Sequence, residues 1–64
     1  MEYNQEKIVA IIPAYEPPHA FIDYAKNLLK EIPNLIVVND GSKEKYQDIF
    51  DELVKLDGCT VISY

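Results

Sequence analysis

The sequence contains a single cysteine, Cys59, no arginine and only two glycines. One cysteine excludes an internal disulfide, and no group of cysteines and histidines has the spacing of a metal site. The longest apolar run extends from Ile8 to Ile12, far short of the roughly 20 residues that a membrane-spanning helix needs. The residues therefore indicate neither a disulfide scaffold nor a zinc domain nor a membrane span.

Basic residues are scarce, because six lysines stand against eleven acidic residues and the net charge is −5. Such a chain lacks the basic surface that nucleic acids or anionic lipids require, so we expect no nucleic-acid partner. The segment from Met1 to Lys7 is polar and acidic, unlike a signal peptide. Together these features predict a cytoplasmic protein.

The length allows at most one small domain, since a chain of this size buries only about 60 % of its unfolded surface. Its hydrophobic content of 48 % is nevertheless typical of a folded protein. Small scaffolds usually gain support from disulfides, metals or partner subunits. With the first two excluded, we predict a homo-oligomer, either a dimer or a tetramer.

Three apolar segments predict strands. The run from Ile8 to Ile12 is stopped by Pro13, and its lack of alternation predicts a strand that is covered on both faces. A second strand is predicted over Leu35–Val38 and a third over Cys59–Tyr64.

Two segments between them have apolar residues at intervals of three and four, which predicts helices over 19–32 and 43–56. Ser42 is a suitable N-cap for the second helix, and Gly58 a suitable stop after it. The acidic residues of that helix are expected on its solvated face: Glu44, Asp48, Asp51 and Glu52.

Strands and helices in alternation predict an α/β fold with right-handed crossovers and a small parallel sheet. A βαβαβ unit with strand order 3-2-1 is one half of a doubly wound fold. Residues 1–64 are interpreted as one truncated subdomain. Its open sheet edge and uncovered apolar surface would invite association with another copy, through paired sheet edges or packed helix faces.

Ligands of open parallel sheets bind at the loops after the strands, here residues 13–18 and 39–42. Tyr15 offers a ring on which a base could stack, and Asp40 a carboxylate that could accept the imide N–H of uracil. Gly41 would let the backbone approach a ligand closely, and Ser42 would open a helix whose N-terminus favours anions.

Each of these residues also has a purely structural interpretation. Tyr15 could be a packing aromatic, and Asp40-Gly41-Ser42 is ordinary turn and cap chemistry. His19 is expected to be a solvated residue of the first helical turn, and Cys59 a small buried hydrophobe. The sequence has neither the G-x-G-x-x-G of dinucleotide folds nor a phosphate-binding loop.

In this order, Ile11-Ile12-Pro13-Ala14-Tyr15-Glu16 and Ile36-Val37-Val38-Asn39-Asp40-Gly41-Ser42 resemble the opening of the family 2 glycosyltransferases. That family has the GT-A fold and begins with I-P-x-Y-N-E, a helix and V-V-D-D-G-S; the similarity extends from Ile8 to Tyr64. The resemblance implies half of a Rossmann-like GT-A domain that binds a nucleotide-sugar, most simply a UDP-sugar.

The resemblance also implies residue roles. Tyr15 would lie against the base and Asp40 would contact the uracil, with the rest of the first motif lining the pocket: Pro13, Ala14 and Glu16. Two positions depart from the family, since Glu16-Pro17 replaces Asn-Glu and Asn39 replaces the first aspartate.

The family's D-x-D motif, which holds Mg²⁺ or Mn²⁺ against the diphosphate, does not occur in the 64 residues, and neither the catalytic base nor the acceptor site is recognisable. Asp48 and Asp51 are three apart on a predicted helix and do not suggest metal ligands. We therefore expect no catalytic residue, metal or cofactor in this chain. Its binding of a UDP-sugar should be weak, and it should transfer no sugar by itself.

Two other interpretations stay open. The chain could be a non-catalytic α/β module whose activity is self-assembly, which tight oligomerisation with weak ligand binding would indicate. It could also resemble a receiver or flavodoxin domain, although the acidic cluster expected after the first strand of a receiver is absent. The sugar, the acceptor and the membrane attachment of a longer parent protein are left open by the sequence.

Overall fold

The computed structural model describes residues 8–63. The elements follow the predicted order: β1 (Val9–Ala14), α1 (Ala20–Leu28), β2 (Asn34–Asn39), a short 3-10 helix (Glu44–Tyr46) that leads into α2 (Gln47–Val54), and β3 (Cys59–Ser63). The segment from Met1 to Lys7 and Tyr64, the last residue of the predicted third strand, lie outside the described residues.

The three strands form one parallel sheet in the order β1-β2-β3. This is the predicted 3-2-1 order counted from the other edge, so the predicted α/β fold with a small three-stranded parallel sheet is confirmed. Ala14 at the end of β1 is in register with Asn39 at the end of β2. The loops that follow these strands therefore begin side by side.

Both helices pack on one face of the sheet. Alternate strand residues such as Leu35 and Val37 point to that face and are fully buried there. They meet Phe50 and Leu53 of α2 and Ala25 of α1 in a single apolar cluster. The apolar stripes predicted for the two helices thus face the core, apart from Val54 of the second stripe, which is 56 % exposed.

The other face of the sheet carries no helix from residues 8–63, so the prediction that the first strand is covered on both faces is wrong. Ile11 is 65 % exposed and Val9 is 46 % exposed. Crossovers of one hand that advance in one direction across a sheet place their helices on the same face. The lack of alternation in the apolar run of β1 therefore does not mean that helices cover both faces of the sheet.

The prediction that Pro13 stops the first strand is wrong, because β1 continues through Pro13 to Ala14. The carbonyl oxygen of Ala14 accepts a 3.0 Å hydrogen bond from the amide of Asp40, on the β2 side. The residue before it, Pro13, consequently directs its ring nitrogen toward the outer edge. A missing N–H is tolerated at that edge, since no neighbouring strand needs it.

The helices are shorter than predicted. After Leu28 the chain continues in turns, and α2 ends at Val54, four residues before Gly58. Gly58 adopts a φ of +88° in the turn before β3, where a Cβ would overlap the carbonyl oxygen of Pro33. Glycine is therefore needed for this close approach, and it is not the immediate stop of the helix.

Several expectations about single residues are confirmed. Cys59 is buried, and His19 is exposed at the start of α1. The acidic residues predicted on the solvated helix face are all exposed: Glu44, Asp48, Asp51 and Glu52. Among residues 8–63, neither helix has the length and apolar content needed to cross a membrane.

Candidate functional site

A hydrogen-bond network joins the two loops at the carboxyl edge of the sheet. The amide of Glu16, in the first loop, donates a 2.8 Å hydrogen bond to the hydroxyl oxygen of Ser42, in the second. The amide of Ser42 in turn donates to the side-chain oxygen of Asn39, at 3.0 Å. The predicted adjacency of the loops is thus confirmed, and their relative position is fixed by specific contacts.

Asn39 is the buried centre of this network, with 6 % of its surface exposed. Besides accepting from Ser42, it places its side-chain nitrogen 3.5 Å from the hydroxyl oxygen of Ser63, at the end of β3. An amide side chain can accept and donate at once, which a carboxylate cannot do. Asn39 therefore orders the second loop through its oxygen, while its nitrogen approaches the end of β3 only at the long limit of a hydrogen bond.

Ser42 does not cap the next helix, so this prediction is wrong. The 3-10 helix begins at Glu44 and α2 at Gln47, and neither start has a side-chain capping bond. The backbone of Lys43 is extended, with φ −65° and ψ 157°, so an extended residue separates Ser42 from the first helical residue, Glu44. The proposed anion site at a helix N-terminus beside Ser42 is consequently not formed.

Gly41 has a φ of +75°, in the left-handed region that favours glycine. A Cβ built there would have no atom within 4 Å. Glycine is therefore favoured at this turn by its φ and not by any steric limit on a side chain.

Glu16 combines two unusual features that the sequence did not reveal. It is the only non-glycine residue among the described ones with a positive φ, at 48°. Its carboxylate oxygen Oε2 is buried and has no hydrogen-bond partner. The one available signal is Pro17, since a following proline disfavours the right-handed helical region. Strained backbone and unsatisfied polar atoms concentrate at functional sites.

Tyr15 and Asp40 leave neighbouring strand ends and are both exposed, Tyr15 by 62 %. Tyr15 is thus not a packing aromatic, and one ring face can meet a ligand. Pro17, noted in the sequence only as a departure from the family's motif, is buried within the same loop. An aromatic ring and a carboxylate are thus both exposed at the ends of two adjacent strands.

Five of the seven predicted binding residues lie together at the carboxyl edge: Tyr15, Glu16, Asp40, Gly41 and Ser42. Pro13 and Ala14 do not share a surface, because consecutive strand residues point to opposite faces. Ala14 is buried in the helix-covered core and Pro13 is exposed on the other face. Only the backbone of Ala14 contributes to the loop geometry.

Other polar groups lie apart from this site. Asp51 accepts a 3.0 Å hydrogen bond from the side chain of Gln47 on the surface of α2. Cys59 begins β3, at the amino edge of the sheet, and burial raises the pKa of its thiol. In the described part of the chain, no three His, Cys, Asp or Glu residues are grouped so as to hold a metal ion.

Comparisons with protein-family models, with curated proteins and with solved structures found no match to this chain. A functional conclusion therefore depends on the carboxyl edge itself. Its accessible groups are one aromatic ring and one carboxylate, held on two loops that the network around Ser42 connects.

Proposed function

We propose that this chain is the nucleotide-sugar-binding part of a family 2 glycosyltransferase and that its carboxyl edge binds the uridine of a UDP-sugar. The two sequence motifs support this, since they occur in the family's order on adjacent parallel strands. The observation that carries the proposal is the 2.8 Å hydrogen bond from Glu16 to Ser42. This bond joins the two loops that carry Tyr15 and Asp40, which in this proposal act on one ligand.

Tyr15 supplies the stacking surface. Its ring is 62 % exposed, and stacking of a base on an aromatic side chain contributes about 1–3 kcal/mol in nucleic-acid complexes. Stacking alone accepts any base, because every base has a π-face. A second contact is needed for selection.

Asp40 supplies that selection in this proposal. A carboxylate only accepts hydrogen bonds, and charge-assisted bonds are stronger than neutral ones. Uracil carries an N–H at ring position 3, whereas cytosine carries an acceptor nitrogen there. Asp40 should therefore favour uridine over cytidine nucleotides.

Affinity should be low, about millimolar or near −4 kcal/mol. The chain carries a net charge of −5 and has no Asp-x-Asp sequence with which to hold Mg²⁺ or Mn²⁺ against a diphosphate. Without such a cation, the leaving diphosphate also lacks its main electrostatic stabilisation. The 64-residue chain should accordingly bind weakly and transfer no sugar. A reduced, cytoplasmic compartment suits its buried free thiol.

Nuclear magnetic resonance titration of the ¹⁵N-labelled chain with UDP, and separately with CDP, tests the proposal. UDP should shift the amide signals of residues 15–16 and 40–42, and CDP should bind several-fold more weakly. Asp40→Asn should remove the preference for UDP. Asp57→Asn is the matched control, because Asp57 is exposed in the turn at the amino edge.

Equal binding of UDP and CDP by the unmodified chain would contradict the role of Asp40. Shifts confined to the amino edge would contradict the site as a whole. The second candidate function is a non-catalytic self-assembling module, which the helix-free face of the sheet favours because it is apolar and exposed. Absence of UDP binding together with oligomerisation would select that function.

A further inference from the structure

The helix-free face of the sheet, here called the open face, is a continuous apolar surface. Its side chains come from alternate positions of all three strands, and none of them is charged: Val9, Ile11, Pro13, Asn34, Ile36, Val38, Thr60 and Ile62. Six of these eight are aliphatic or proline. Large exposed patches of this kind mark interaction surfaces.

The strand register makes this surface contiguous. Ile11, Ile36 and Thr60 form one row across the sheet, and Pro13, Val38 and Ile62 form the next. Among the aliphatic side chains of this face, those of the two outer strands are the most exposed, with Ile11 65 % and Ile62 42 % exposed. Strand spacing and rise give the face dimensions of about 15 Å by about 17–20 Å.

We propose that a second copy of this chain covers the open face by packing its own open face against it. The two sheets would then lie about 10 Å apart, with the helices of both copies on the outside. This arrangement uses the face of the sheet, whereas the sequence suggested paired sheet edges or packed helix faces.

The lack of ionised side chains on the open face favours a second copy over a partner that binds through charged groups. The chain has a net charge of −5, yet the open face presents no ionised side chain. Two copies can therefore meet there without like charges in contact. A partner recognised through basic or acidic groups would find nothing to pair with on this surface.

An identical partner also fits in size, since its face has the same dimensions. A two-fold axis lying between the two faces and parallel to them would make the contact isologous, so that a residue i meets a residue j of the copy and j meets i. Because the face is small, the total buried area falls in the range below about 1,200 Å² that is typical of weak complexes. We expect a dimer that dissociates in the micromolar range.

The proposed dimer is independent of nucleotide binding. The recognition groups Tyr15 and Asp40 lie beyond the ends of the strands, whereas the open face lies along them. Failure of the UDP titration would leave the dimer untouched, and a monomeric chain could still bind UDP.

Sedimentation equilibrium of the full 64-residue chain from about 10 μM to about 1 mM tests the proposal. The unmodified chain should dimerise with a dissociation constant of tens of micromolar, and Ile11→Lys should raise it at least about thirtyfold. Val54→Lys is the matched control, because Val54 is an aliphatic residue 56 % exposed on α2. It should leave the dissociation constant unchanged, and circular dichroism should show that both variants are folded.

A second measurement locates the contact without mutation. In a mixture of isotope-labelled and unlabelled chains, filtered nuclear Overhauser spectra should show contacts between copies from the methyl groups of Ile11, Ile36 and Ile62. A monomer at about 1 mM, which would leave the face to a different protein, overturns the proposal. So does a dimer without these contacts, or one that Ile11→Lys and Val54→Lys weaken equally.

Discussion

The amide of Glu16 donates a 2.8 Å hydrogen bond to the hydroxyl of Ser42, although the two residues are 26 positions apart. This contact connects the loop after β1 to the loop after β2. Ser42 is itself held by Asn39, so the first loop takes its position from the second. The arrangement of Tyr15 relative to Asp40 therefore depends on a serine that need not touch the ligand.

Ser42→Ala should loosen this connection. The variant leaves the partly buried amide of Glu16 without its acceptor, which should lower the free energy of unfolding by about 1 kcal/mol. Urea denaturation measures that loss, and UDP titration should show weaker binding. Ser63→Ala is the control, since its hydroxyl lies 3.5 Å from the Asn39 nitrogen and contributes little. Equal losses in both variants would show that the loop connection has no special role.

Glu16→Gly should stabilise the chain by about 0.5–1 kcal/mol, because glycine adopts a φ of 48° without the steric cost that other residues carry. Glu16→Ala separates the two possible causes, since it keeps the strained backbone and removes the unpaired carboxylate oxygen. Thermal unfolding of both variants distinguishes them. If alanine stabilises as much as glycine, the buried oxygen and not the backbone is the source of the strain.

Gly58→Ala should be more damaging than Gly41→Ala. Both glycines have positive φ, but only at Gly58 would a Cβ overlap another atom, the carbonyl oxygen of Pro33. Left-handed backbone alone costs about 1–2 kcal/mol, and the overlap should add at least as much again. Chemical denaturation of the two variants checks this order. Similar losses at both positions would contradict the packing described for the turn before β3.

Alkaline pH should weaken the fold through Cys59. Burial raises the pKa of its thiol, so above the ordinary value of about 8.5 the unfolded chain loses this proton before the folded chain does. Stability should therefore be unaffected at lower pH and fall between the ordinary and the raised pKa. Unfolding free energies from pH 7 to pH 10 should show a smaller decline for Cys59→Ala. Parallel declines in the two proteins would exclude the thiol as the cause.

The architecture could be predicted because its signals are local. Apolar runs such as Leu35–Val38 indicated strands, the apolar stripes indicated helices, and alternation of the two implied a parallel sheet. Coverage of the sheet could not be predicted in the same way, because it depends on the direction in which both crossovers advance. Ile11 consequently looks like a core residue in the sequence and is exposed in the fold.

The site was predictable as a pair of adjacent loops but not in its internal contacts. Ser42 has the chemistry of an N-cap, yet its hydroxyl accepts from an amide 26 residues away. Such a contact follows from strand register, which no local pattern around Ser42 contains. The placement of Pro13 and Ala14 on opposite faces was also not predictable. It follows from the two residues by which β1 extends beyond the predicted strand end.

Pro13 has a consequence for how copies of this chain can grow into larger structures. Extended aggregates form when a free strand edge accepts another strand through a row of backbone hydrogen bonds. The outer edge of β1 presents a ring nitrogen without a hydrogen at Pro13, so an incoming strand would miss a bond there. The proposed face-to-face packing would bury apolar surface, leave that edge unused and close after two copies. The proposed dimer would thus hide hydrophobic surface in a finite assembly, and Pro13 would make one edge of the sheet a poorer site for strand addition.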